Sequence, residues 1–229
     1  MTTLVGIIGQ DGEDKEIVFA ADIQRTKLGE DNKPRYKIPV QKIQFHKDRD
    51  FAFSMSGDAD SKYGEFMDKL ISGKIDLKKA IDKGYLKELF DLNISRWRRE
   101  KPTKEYNIFL FATRFDDNPK LFIGHPLGKL EEKTFVTLGS GAEMAQGYLD
   151  LKKDIDFVEE GIYFPRQFSR EEARKRAYYA MSGAVGGDIS SSGYDLAFVR
   201  SSEIISLSGK LEDIEVERQN WIKKVFSGE

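Results

Sequence analysis

Strand-like and helix-like segments come in groups along this chain of 229 residues rather than alternating. Residues 3–9 and 16–21 are apolar and rich in β-formers, and the Gly/Asp turn QDGEDK between them predicts a hairpin. KIQFH at 42–46 and FAFSMS at 51–56 predict a second hairpin around KDRD. Two helices are expected next. The first is marked by Tyr63, Phe66, Met67 and Leu70 at i, i+3, i+4, i+7, the second by the stripe Leu86, Leu89, Phe90, Ile94 and Trp97 through about 78–100. Strands return at 106–115, 120–124 and 133–138, followed by a helix at about 141–153. A further helix from 170 carries a capping box, Ser169 with Glu172, and a small-residue face of Ala173, Ala177, Ala180 and Ala184. Strands at about 194–200 and 203–207 and an amphipathic helix with Ile214, Trp221, Ile222 and Val225 close the chain. The polar stretch 23–40, with Pro34 and Pro39, reads as a long loop.

Grouped helices argue against a doubly wound parallel sheet. The order fits an α+β fold of two antiparallel sheets packed together with helices on both outer faces. No internal repeat, low-complexity tract or linker divides the sequence, so 1–229 is expected to form a single domain.

Composition removes several function classes. The chain has no cysteine, which excludes thiol catalysis and zinc–thiolate sites, and its two histidines, His46 and His125, argue against a multi-histidine metal centre. A net charge of −2 gives no general attraction to nucleic acid or anionic membrane. No apolar run reaches the ~20 residues of a membrane span, and no signal peptide is recognisable. The expectation is therefore a cytoplasmic protein with no cofactor, metal, nucleic-acid or membrane partner.

The start, MTTLVGII, places Thr2 directly before an apolar strand. Removal of Met1 would give Thr2 a free α-amine, and one residue would then hold both a nucleophilic hydroxyl and a base titrating near ~7.7–8.0. Asp22 ends the strand EIVFAAD, where a buried carboxylate needs a partner, and Lys42 in VQKIQF is a candidate. Gly57 in SMSGDADS could bring its N–H to a developing oxyanion. Ser140 in LGSGAEMAQG stands at a helix start whose spacing fits neither a dinucleotide fingerprint nor a P-loop. GGDISSSGYDLAFV gathers Asp188, Ser190, Ser191 and Ser192 between a helix and a strand. Taken singly, these are also a surface ion pair, a turn glycine, a helix cap and a serine-rich turn.

Their joint order resembles the proteasome β-subunit family of N-terminal-nucleophile hydrolases, which includes bacterial ATP-dependent threonine peptidase rings. The resemblance runs from residue 2 to about 200 and is strongest in TTLVGI, IVFAAD, QKI and FAFSMSG. It implies a four-layer αββα sandwich and a threonine-type peptidase or amidohydrolase. Thr2 would be the nucleophile, its amine the proton acceptor, and Asp22 would orient Lys42. Gly57 would supply the oxyanion hole, while Ser140, Asp188 and Ser191 would hold the amine and its water. Thr26 would pair with an extended peptide or protein substrate. The interval from 22 to 42 is longer than the family's, which keeps Lys37 as a rival to Lys42. The extra serine keeps Ser192 as a rival to Ser191. The resemblance also implies a homo-oligomeric ring, with an ATPase or α-type ring as candidate partner. The alternatives are a non-catalytic ring or binding subunit, or an acyl transferase or ligase built on the same acyl-enzyme.

Overall fold

The computed structural model describes residues 2–28, 34–46, 48–56, 61–82, 108–115, 118–124, 130–139, 141–143, 145, 167–187 and 193–210. In chain order these form β1 (Thr3–Asp11), β2 (Asp14–Asp22), β3 (Gln24–Leu28), β4 (Pro34–Pro39), β5 (Gln44–Phe45), β6 (Phe51–Ser56), α1 (Ser61–Ile71), α2 (Leu77–Asp82), β7 (Ile108–Thr113), β8 (Lys120–Gly124), β9 (Leu130–Lys133), β10 (Phe135–Gly139), α3 (Arg170–Gly187), β11 (Gly193–Arg200) and β12 (Ile204–Lys210). One sheet has the order β10-β1-β2-β11-β12, the other β5-β6-β7-β8-β9, and β3-β4 form a separate ribbon. The strand pairings in all three are antiparallel.

Side chains of successive strand residues point to opposite faces, and here both faces are buried. In β2, Ile17, Phe19 and Ala21 enter the core between the sheets, while Val18 and Ala20 face α3. In β7, Leu110 and Ala112 enter the same inter-sheet core, while Phe109 and Phe111 face α1 and α2. This explains why the strands read as nearly continuous apolar runs. The layers are α3, first sheet, second sheet, then α1 with α2, which is the αββα sandwich expected from the grouped elements. Ala173, Ala177, Ala180 and Ala184 are buried against β1, β2 and β11, so small side chains let α3 lie close to its sheet. The far layer is aromatic instead: Phe51, Phe53, Phe66, Phe109 and Phe111 are buried there, each contributing roughly 1.5–3 kcal/mol. The Ser169 half of the capping box forms, with Glu172 N–H donating to Ser169 Oγ at 3.1 Å, while the Glu172 carboxylate accepts from Arg176.

The stretch 23–40 departs from the loop expected of it. It contains the β3–β4 ribbon, closed at its base by Val40 N–H donating to the Ile23 carbonyl at 2.6 Å. Pro34 and Pro39 are the first and last residues of β4, places where a missing N–H breaks no interior ladder. The strand expected at 133–138 is β10; the short β9 just before it, which belongs to the other sheet, was missed in the sequence. Of the helices expected at 78–100 and 141–153, the described residues include α2 at Leu77–Asp82 and helical residues at 142, 143 and 145; the remainder, and the helix expected through 214–225, lie outside the described residues.

Candidate active site

The first sheet carries Thr2 and Asp22 to the same place because β1 and β2 form a hairpin. Leu4 pairs with Ala21, so the start of β1 lies beside the end of β2. Thr3 N–H donates to Asp22 Oδ1 at 2.6 Å, which ties the chain's beginning to the strand-end carboxylate. Lys42 returns to this point from twenty residues away. The β3–β4 ribbon absorbs the intervening chain, and Ile43 anchors the return by packing between the sheets at 1% exposure.

The lysine ammonium is the hub. Lys42 Nζ lies 2.7 Å from each Asp22 oxygen and 3.2 Å from Thr2 Oγ1. The Lys42 and Asp22 side chains are only 11% and 8% exposed. An exposed pair of this kind would be worth about 0–1 kcal/mol. Burying it costs desolvation that an apolar replacement would avoid, so its persistence is weak evidence for a stabilising role. The third contact gives the arrangement a chemical meaning. An ammonium can only donate, so the Thr2 hydroxyl accepts from Lys42 and keeps its own proton for another acceptor. Positive charge beside that oxygen favours any form in which it becomes negative.

Two further residues shape the site. Asp195 on β11, at 2% exposure, pairs with Ala21 and accepts the Lys42 backbone N–H through Oδ2 at 2.7 Å. It therefore fixes the main chain from which the ammonium projects. The available sequence signal was a carboxylate in GYDLAFV, an otherwise buried run, the same signal that singled out Asp22. Gly139, the last residue of β10, has φ +95°, and a Cβ there would lie 1.6 Å from the Thr2 carbonyl oxygen. The same Cβ would lie 3.0 Å from Ser56 Oγ, at the end of β6. A glycine is thus required for β10 to pass against residue 2.

Of the residues singled out in the sequence, Thr2, Asp22 and Lys42 come together. Thr26 and Lys37 stand opposite each other in the β3–β4 ribbon. Gly57, Ser140, Asp188, Ser191 and Ser192 lie outside the described residues, although their neighbours Ser56, Gly139, Gly141 and Gly193 do not. Gly141 is near: a Cβ on it would meet Thr3 Oγ1 at 2.2 Å. No described helix is long and apolar enough to cross a membrane.

No protein-family model matches the chain. Over 158 residues, 58% of its length, it is 32% identical to proteasome subunit beta 2 of Korarchaeum cryptofilum, and the match spans 74% of that protein. Over 95 residues, 41% of its length, it is 37% identical to proteasome subunit beta of Methanocaldococcus vulcanius, spanning 41% of that relative.

Proposed function

The chain belongs to the proteasome β-subunit family, and from that premise we propose that it is a threonine-type amidohydrolase, a peptidase that uses Thr2 once Met1 is removed. One observation carries the reading: the buried Lys42 ammonium donates to Thr2 Oγ1 while held by Asp22.

In the mature form Thr2 carries its amine and its hydroxyl on adjacent carbons, Cα and Cβ. The amine takes the hydroxyl proton as Oγ1 attacks the substrate carbonyl. Lys42 stabilises the negative charge gathering on Oγ1, and Asp22 balances the charge of Lys42. The tetrahedral intermediate collapses to an ester on Thr2 as the leaving amine takes the proton. Water, deprotonated by the same α-amine, then attacks the ester and frees Thr2. Gly57 N–H is proposed for the oxyanion hole, and Ser140, Asp188 and Ser191 for holding the amine and its water. The backbone of β3 around Thr26 is proposed to receive an extended peptide as an added strand. A homo-oligomeric ring in the cytoplasm, with an ATPase or α-type ring as partner, completes the proposal.

The test is peptide hydrolysis by three forms: the mature chain, Thr2→Ala, and a chain with a blocked N-terminus. The proposal expects activity only in the first, and unchanged hydrolysis by either of the others contradicts it. A uniform Met1 start in the purified native protein, with no hydrolysis, would support a non-catalytic subunit instead. Transfer of the acyl group to an added amine in preference to water would identify a transferase.

A further inference from the structure

The turn between β5 and β6 holds a second chemical cluster, at the far end of β6 from Ser56. Five residues at about 3.3 Å each put Phe51 roughly 17 Å from Ser56. His46, Asp48 and Asp50 each offer one ligand atom here, and these atoms all lie within 4.8 Å of one another.

The imidazole is the independent indication of a ligand. His46 is nine-tenths buried, and its ring is stacked on Phe51 with centroids 4.8 Å apart and planes 15° apart. Its Nδ1 is buried and makes no hydrogen bond among the described residues. Such an atom ordinarily carries a cost of about 1–3 kcal/mol. It points toward Asp50 Oδ2, which is 3.4 Å away, too far for a good hydrogen bond. A tetrahedral ion with bonds of about 2.0–2.2 Å to nitrogen and oxygen spaces its ligands about 3.3–3.6 Å apart. The observed separation is that edge. Arg49, the described cation of this turn, lies over the Phe45 ring at 5.1 Å.

We propose that this turn binds a divalent transition-metal cation of the zinc, cobalt and nickel class through His46 Nδ1 and one carboxylate oxygen each from Asp48 and Asp50, with water as the fourth ligand. Low histidine content argues against a multi-histidine centre, and this donor set needs only one imidazole. A nitrogen ligand with two carboxylates selects this class over magnesium or calcium, which prefer all-oxygen shells. Asp48 is exposed and already engaged in another polar contact, so metal binding would exchange that contact as its side chain rotates to close the wider spacing.

The test uses the full chain, without a histidine tag, after chelator treatment. Calorimetric titration with Zn²⁺ should show one saturable site per chain, and Co²⁺ should give the intense visible bands of a tetrahedral centre, removed by Zn²⁺. Asp48→Asn with Asp50→Asn changes only solvent-accessible groups. It should weaken binding by more than the roughly 10–100-fold that losing a group behind a ligand costs. His46→Gln should do the same, and His125→Ala should bind as the parent does. Absence of a saturable site, equal binding by the double aspartate variant, or loss of binding in His125→Ala would each overturn the proposal.

Discussion

Lys42 Nζ donates to the Thr2 hydroxyl across 3.2 Å although forty residues separate the two. A sandwich core makes this meeting possible. The β1–β2 hairpin brings Thr2 beside Asp22, and Ile43, sunk between the sheets, brings Lys42 back after the β3–β4 ribbon.

Lys42→Ala should lower peptide hydrolysis by about 10²–10³-fold, the loss seen when one preorganised donor to a developing oxyanion is removed. Lys37→Ala should retain most of the activity. Steady-state kcat/KM for the two variants separates the rival lysines.

Asp22→Asn and Lys42→Met should not add. Each alone leaves a buried charge without its counterpart, which costs about 3–5 kcal/mol. The double variant leaves neither. Denaturant unfolding of the four forms should show the double variant well short of the summed losses.

Asp195→Ala should reduce kcat more than it raises KM, because Asp195 holds the Lys42 main chain rather than substrate. Asp195→Asn keeps an acceptor oxygen and should recover part of the loss. A purely structural role would lower stability in both variants and leave the kcat of the folded fraction unchanged.

Gly139→Ala should be disproportionately harmful. The backbone conformation alone costs about 1–3 kcal/mol for a side chain, and the new Cβ would enter the space of the Thr2 carbonyl. Hydrolysis should vanish even though Thr2, Asp22 and Lys42 remain. A crystal structure should show residue 2 displaced from Lys42.

Glu16 contributes to acid stability. Burial alone would raise its carboxyl, but hydrogen bonds from Arg174 and Arg200 outweigh that and hold it below its ordinary 4.5. The depressed native value means its contribution is complete above that pH and is lost as pH falls through the native value. Glu16→Gln should cost on the order of 1.5–3 kcal/mol at neutral pH. It should also flatten the fall in stability below pH 4.5, measured by urea midpoints across pH.

The sandwich was legible because grouped elements and apolar runs report burial directly. Thr2, Asp22 and Lys42 were legible as a set only through the joint order of their motifs and its resemblance to a known family; the strand-end carboxylate alone asked for no more than some cation. The β3–β4 ribbon was hidden by Pro34 and Pro39, which read as breakers but sit at the ends of a two-stranded ribbon, where a proline is tolerated. Asp195 was hidden differently. The buried carboxylate in GYDLAFV was a signal that it needs partners, but nothing in the side-chain pattern announces that one of them is the Lys42 backbone N–H. Lys42 over Lys37 could not be chosen by counting residues, because the count depends on whether the intervening chain folds onto itself.

The central claim is that Thr2 itself becomes acylated. Rapid quenching of the mature chain with an activated peptide substrate, followed by tandem mass spectrometry, tests it most directly. The account predicts one acyl group per chain, mapped to the Thr2 side chain and absent from Thr2→Ala. Turnover with no adduct on Thr2, or an adduct on any other residue, would contradict it.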